Sequence, residues 1–496
     1  MPGQAAVLEL PTRCGRVAGA LRPSSPTVRC WLGIPYAAPP VGRWRWCPPQ
    51  PVQPWPGVRP ATRFGADSVQ APMPASRAGT VSEDCLFLNV WSPAAAPSGA
   101  LPVMVWLHGG GFVGGSGAET RCDGTALAQQ GVVVVSLNYR TGLFGFLAHP
   151  GLSAESPQRS SGNYGLLDQL AALAWVRDSI GAFGGDPSRV TVFGVSAGSA
   201  SISLLLTSPA AEGLFHQAIL HSPGAGRPLA GLDDAERAGL ALGGRIDALR
   251  ALTATELFAL TPRLSPLVRG LTSPRVLRPI RDGWLIAQDE RDAFASGGLR
   301  RMPLIVGTNS DEGTLLTRGW PVRTVAELRA LIAANFPRDT GRALALYGTD
   351  DEAQVPARLA DAFADTQFNL GARLLLRAMA RQQPRCWRYL FSRRRPGQAD
   401  GPQHGDEVGH VFGNLGAGRG TPSLPFDAVD QALSRAMSGA WVAFARRADP
   451  NGEGLPDWPA FAPDGERHLD FGDPIAVGSD ARRPMLDFLD ACGAAG

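Results

Sequence analysis

Lysine is absent from all 496 residues, so each of the 47 permanent cations is an arginine. They face 44 carboxylates, and the formal charge of +3 is too small and too dispersed for a nucleic-acid footprint. Long apolar runs are missing as well: no stretch approaches the ~20 residues needed to span a bilayer. The opening "MPGQAAVLELPTRCG" has no charged segment leading into an apolar one, so no signal peptide is predicted. The expected location is therefore cytoplasmic for the chain as it stands, and secreted or periplasmic if a leader has been trimmed. Cysteine is sparse. The seven residues are scattered without a CxxC pair, which predicts mostly reduced thiols and no zinc framework. Seven histidines form no HExxH, and neither GK[ST] nor a GxGxxG opening a helix is present. No metal and no cofactor is expected. The densest basic run, "RRR" at 393–395, precedes Pro396-Gly397 and reads as a solvated loop.

What is present is globular, at 44% hydrophobic and 18% charged residues. The first 60 residues are rich in Pro and Gly and predict short strands and fixed turns over a surface. "LPVMVWL" and "GVVVVSLNY" follow as buried strands. "GNYGLLDQLAALAWVRDSI" carries Leu166, Leu170, Leu173 and Val176 at spacings of three and four, predicting an amphipathic helix. The strand "VTVFG", the small-residue helix "AGSASISLLLTS" and the strand "FHQAILHS" continue an alternation that implies a parallel α/β sheet. Helical patterns dominate about 228–300 and again about 324–380, around the strand in "RMPLIVGTNSDEG". "CWRYLFS", the helix "LSRAMSGAWVAFARRA" and the short strand "RHLDFG" close the chain. There are no internal repeats and no linker-like tract. The expectation is one α/β domain over 1–496, its large, mostly parallel sheet flanked by helices on both faces, with the helical excursions above the C-terminal strand ends.

"GVSAG" at 194–198 fits G-x-S-x-G between a β-branched strand and a small-residue helix. That context makes Ser196 a candidate nucleophile on a strained turn. A serine needs a base, and the base an orienting acid, in the order Ser, Asp/Glu, His. His216 and His221 come too early in the chain for that order, and His468 opens a terminal strand. In "PQHGDEVGHVFG" His404 sits among Pro, Gln and Gly, where it can reach over the sheet edge, and is preferred to His410. "TNSDEG" offers Asp311 and Glu312 just past a strand end, and spacing alone does not choose between them. "HGGGF" at 108–112 can aim backbone N–H groups at a developing oxyanion, joined by the N–H after the nucleophile.

These motifs, with "SEDCLFLNVWSP", "GNYGLLDQ" and "HGDE", resemble those of the type-B carboxylesterases, the cholinesterase-like branch of the α/β-hydrolases, over nearly the whole chain. The resemblance implies Ser196 as nucleophile, His404 as base and Glu312 as acid, with oxyanion donors on Gly110, Gly111 and Ala197. It also implies a small-molecule ester substrate, while the dilute charge and the short apolar runs predict no nucleic-acid partner and no membrane span. "FLAHPGLSAESP", "SPGAGRPLA" and "DTQFNLGARLL", outside the catalytic motifs, are similar to bacterial fumonisin esterases, which release tricarballylic acid. A broad-specificity carboxylesterase, an amide or carbamate hydrolase on the same residues, or a catalytically silent cholinesterase-like binding protein are the competing readings. Two departures stand out. Ser68 occupies the place of the cysteine that usually pairs with the equivalent of Cys85, so Cys85 is expected to be free. Val195 stands where relatives carry glutamate, which removes a negative charge near the base. The prediction is a slower, retuned enzyme whose acidic activity limb lies at lower pH.

Overall fold

Val103, Val105 and Leu107 face one apolar layer, whereas Met104 and Trp106 between them face another. That alternation is what a strand buried on both sides requires. In the computed structural model, which describes residues 8–95, 99–265, 270–416, 424–479 and 482–494, this strand lies near the middle of a thirteen-stranded sheet. The strands are β1 (Leu8–Thr12), β2 (Gly15–Arg22), β3 (Ser25–Pro35), β4 (Val58–Pro60), β5 (Phe87–Pro93), β6 (Leu101–Leu107) and β7 (Val133–Leu137). They continue with β8 (Gly185–Val195), β9 (Gln217–His221), β10 (Leu304–Asn309), β11 (Cys386–Phe391), β12 (His468–Phe471) and β13 (Ala476–Gly478). Their order is β1-β2-β3-β5-β7-β6-β8-β9-β10-β11-β12-β13, with β4 beside β2. From β7 through β12 every neighbouring pair is parallel; β1-β2-β3-β5-β7 and β12-β13 pair antiparallel, and β4 runs parallel to β2. This is the α/β-hydrolase fold.

Helices cover both faces. Tyr164–Ser179 and Ala197–Thr207 pack Leu166, Leu173, Val176 and Ile202 into one layer. Ala428–Arg447 packs Leu433, Met437, Trp441 and Phe444 into the other. Among the described residues of 228–300 the helices are short, such as Leu232–Gly239 and Glu290–Ser296. In 324–380 the helices are longer and build an apolar cluster of their own around Leu328, Ile332 and Phe363. There the helices Val355–Ala364 and Leu370–Ala380 are joined by a π-helical turn, Asp365–Asn369.

Three expectations need correction. Tyr164–Ser179 is not amphipathic: its Asp168 and Gln169 are fully buried, and Asp168 binds the buried Arg140 at 2.7 and 2.8 Å. The apolar spacing marks the face on the sheet, while polar residues on the opposite side are enclosed by pairing. Arg393 is not solvated either. Asp427 at 2.6 Å and Asp430 at 3.1 Å hold it in a buried position. Finally, β12 does not close the chain, because β13 and the helix Arg483–Ala494 follow it.

Candidate active site

Ser196 sits between the last residue of β8 and the first of the helix Ala197–Thr207, at φ 57° and ψ −117°. Such a conformation costs a non-glycine residue about 1–3 kcal/mol, so its surroundings must impose it. Two glycines make that possible. A Cβ on Gly198 would lie 2.0 Å from the carbonyl oxygen of Leu107, and one on Gly194 would lie 2.8 Å from the same atom. The Ser196 N–H donates to the carbonyl of His221 at the end of β9, at 2.9 Å, locking the turn to the neighbouring strand.

Glu312 and His404 come from the loops after β10 and β11, so all three residues lie at C-terminal ends of parallel strands. The His404 Nδ1 is 2.5 Å from Glu312 Oε2. The other Glu312 oxygen accepts from the Asn309 N–H at 2.6 Å and from the Ser222 hydroxyl at 2.5 Å. With a carboxylate at Nδ1 the imidazole proton belongs there, which leaves a lone pair on Nε2. That Nε2 is buried and engages no partner among the described residues. Phe368, in the π-helical turn, stacks on the ring with centroids 4.4 Å apart and fixes its plane.

The choice between acids is now physical. Asp311 turns its carboxylate to the N–H of Thr314, at 3.1 Å, at the start of a short helix, whereas Glu312 points inward. His410 is packed between Phe391 and Phe426, with its Nε2 3.7 Å from Asp430.

A second buried pair lies close by. His221 Nδ1 is 3.2 Å from Glu407 Oε1, and the Trp441 indole donates to His221 Nε2 at 3.0 Å. Asn309 joins the two pairs, donating its side-chain N–H to Glu407 Oε2 at 2.6 Å. Burial alone would raise the Glu407 carboxyl, but the hydrogen bonds from His221 and Asn309 outweigh it and hold it down at about 2.

The glycine loop follows β6. Gly110 and Gly111 take φ 120° and 64°. Among the described residues the N–H groups of Gly110, Gly111 and Ala197 donate to no protein acceptor. His108 stacks on Tyr139 at 4.2 Å and its Nδ1 meets the Gly109 carbonyl at 2.8 Å. Burial lowers the His108 imidazole to about 4, so it is neutral near neutral pH and serves as a loop anchor. Val195 is 1% exposed, in an apolar layer with Trp106 and Phe412, and would meet a Cβ on Gly109. Cys85 is buried, and none of the seven cysteines forms a disulfide. Ser68 hydrogen-bonds with Cys85, and burial pushes this thiol well up. The described residues contain no cluster of His, Cys, Asp or Glu fit for a metal ion. None of their helices is long and apolar enough to cross a membrane.

Ser222, Asn309 and Phe368 escaped the sequence reading. The one signal for Ser222 is its place directly after the strand beside the turn. Its φ of 50° has no signature in the sequence.

The carboxylesterase family matches residues 6–489. A fumonisin B1 esterase of Sphingopyxis macrogoltabida is 47% identical over 467 residues, which are 93% of this chain and 86% of that protein. A para-nitrobenzyl esterase of Bacillus subtilis is 37% identical, covering 95% of this chain and 96% of that one. The solved structure of a PNB esterase superposes with a TM-score of 0.84 at 34% identity, over 97% of this chain and 99% of that one.

Proposed function

The chain belongs to the carboxylesterase family and is a carboxylic ester hydrolase, and on that premise we propose that Ser196, His404 and Glu312 carry the reaction. The observation that carries this reading is His404, whose Nδ1 is bound to Glu312 and whose Nε2 has no partner among the described residues. His404 Nε2 takes the Ser196 hydroxyl proton as Oγ attacks the ester carbonyl carbon. The carbonyl oxygen becomes an oxyanion, stabilised by the N–H groups of Gly110, Gly111 and Ala197. Collapse expels the alcohol, which takes its proton from His404 Nε2 and leaves an acyl-enzyme. Water then repeats the sequence, releasing the acid and restoring Ser196. Glu312 keeps the imidazole in the needed tautomer and stabilises its charged form.

For substrate we propose esters of a tricarballylate-type polycarboxylic acid. The likeness to the fumonisin B1 esterase, at 47% identity, supports this. A broad-specificity carboxylesterase is the second reading, favoured by the likeness to the para-nitrobenzyl esterase. The test is hydrolysis of fumonisin B1 beside p-nitrophenyl butyrate, with Ser196→Ala as the blank. Faster kcat/KM on the tricarballylate ester, and a fall of about 10⁴ or more in the Ser196→Ala chain, is the expected result. Turnover of the simple ester alone would favour the second reading. Silence on both would overturn the roles given to Ser196 and His404.

A further inference from the structure

The oxyanion donors proposed on the glycine loop are aimed by the carbonyls behind them. In a trans peptide the N–H points opposite to the C=O, so whatever holds the Gly110 carbonyl directs the Gly111 N–H. The N–H groups of Val113 and Gly114 donate to that carbonyl at 3.1 and 3.2 Å. Likewise the Gly109 carbonyl, on the peptide that carries the Gly110 N–H, meets His108 Nδ1 at 2.8 Å. Most of the turn is glycine, which leaves the chain more conformational freedom than any other residue. A support from outside the turn is therefore needed to fix Gly114.

The side chain in that place is Gln70. Its buried amide pairs with both backbone groups of Gly115: Oε1 accepts from the N–H and Nε2 donates to the carbonyl, each at 2.7 Å. Fixing the Gly115 N–H fixes the Gly114 carbonyl on the far side of the same peptide. That carbonyl packs on Gly110 so closely that a Cβ there would lie 2.1 Å from its oxygen. The next two residues are held as well. Ser116 donates its hydroxyl to Asp67 Oδ1 at 2.5 Å, and the Gly117 N–H donates to Asn138 Oδ1 at 2.7 Å. The segment that carries Gln70 is anchored in turn, because Ser68 Oγ accepts from the Thr141 N–H at 3.0 Å.

We infer that Gln70 is a positioning residue for the oxyanion donors: by pairing with Gly115 it holds the Gly114 carbonyl against Gly110 and so keeps the Gly110 and Gly111 N–H groups aimed at the cleft. It acts through the backbone of the loop rather than on the substrate. A side-chain amide suits the task because it sets a donor and an acceptor side by side without a charge, as a neighbouring strand would. Donors fixed in advance need no rearrangement as negative charge grows on the carbonyl oxygen, and that is the source of their effect on rate.

The inference rests on the esterase reading, and its test separates the two. Gln70→Leu removes both bonds to Gly115. Its kcat on p-nitrophenyl butyrate should fall about 10- to 100-fold while KM stays within about three-fold, because ground-state binding does not call on the donors. Butyl trifluoromethyl ketone reads the oxyanion directly. Ser196 Oγ adds to its carbonyl carbon, the hydroxyl proton passes to His404 Nε2, and the carbonyl electron pair becomes a hemiketal oxyanion facing the donors. Its inhibition constant should rise by the factor by which kcat/KM falls. In Gln70→Glu the carboxyl matches the amide only when protonated, so kcat relative to the parent chain should rise as pH falls from about 9 to about 5. Unfolding midpoints check that each variant is folded, and if Gln70→Leu is not, the Gln70→Glu profile decides. Unchanged kcat and ketone inhibition in folded Gln70→Leu, or a Gln70→Glu ratio flat with pH, would overturn the inference while an inactive Ser196→Ala chain upheld the esterase roles. Turnover that survived Ser196→Ala would overturn those roles and the inference with them.

Discussion

Two buried histidine–glutamate pairs lie under the same row of strand ends, and Asn309 binds both carboxylates, one through its backbone and one through its side chain. In the pair His404–Glu312 the far nitrogen of the ring has no partner among the described residues. In His221–Glu407 that nitrogen receives the Trp441 indole N–H. The residue types and the burial are alike, yet only one ring keeps a lone pair available for a proton. A carboxylate orients an imidazole in either case; what separates a base from a strut is whether a third group has capped it. The strut still matters to the site, because the His221 carbonyl holds the Ser196 N–H at 2.9 Å.

The largest expected effects come from removing each ring in turn. His404→Asn should cut kcat on p-nitrophenyl butyrate by about 10⁴ to 10⁶. His221→Asn should act mainly on stability. It leaves the Glu407 charge without its partner, at a cost of about 3 kcal/mol in unfolding free energy, while kcat in the folded fraction stays within about ten-fold. Comparable losses of turnover in both variants would break the distinction between base and strut.

The carboxylates sharpen it. Glu312→Gln should lower kcat by about 10³ to 10⁴, because an amide does not hold the proton on Nδ1 as a carboxylate does. Glu407→Gln should be read in stability against pH. The Glu407 carboxyl is held at about 2, below the ordinary 4.5, so it contributes stability that is full above 4.5 and lost as pH falls from there toward 2. At ~1.4 kcal/mol per unit this amounts to about 3 kcal/mol. Replacing it should flatten that acid limb in urea titrations, and an unchanged limb would mean that another carboxylate carries it.

How much of this was legible follows from how far apart the partners lie in the chain. Ser196 and the glycine loop are local arrangements, strand, turn and following residues, and the sequence displays them whole. Glu312 against Asp311 was not decidable from spacing, because the difference is which neighbour turns inward and which caps Thr314. The sequence prefers His404 to His410 only for neighbours, Pro, Gln and Gly, that let it reach over the sheet edge; that His410 is packed between Phe391 and Phe426 is set by the fold. The strut was beyond reach: Trp441 meets His221 across 220 residues, and no motif joins them. The burial of Arg393 is hidden from the sequence for the same reason, since its carboxylate partners lie on and just before a helix more than 30 residues downstream. Charge runs look solvated until the fold supplies their counter-ions.

Val195 sets the smallest test and falls between the two pairs. Its register partner on β9 is His221, and the next residue is Ser196. A glutamate there has no room for its carboxylate in the apolar layer around Trp106 and Phe412, so the longer side chain must direct its charge along the turn toward the cleft. A charge about 4 Å from another, at an effective dielectric near 20, interacts by at most about 4 kcal/mol, and water and Glu312 reduce that severalfold. Val195→Glu should therefore favour the imidazolium of His404 and move the acidic limb of kcat/KM to higher pH, by about one unit or less. Plateau turnover should rise by a few-fold at most, since the proposed roles of Ser196, His404 and Glu312 do not call on this position. If limb and turnover both stay where valine leaves them, the position has no electrostatic hold on the base, and its valine is packing for the strut alone.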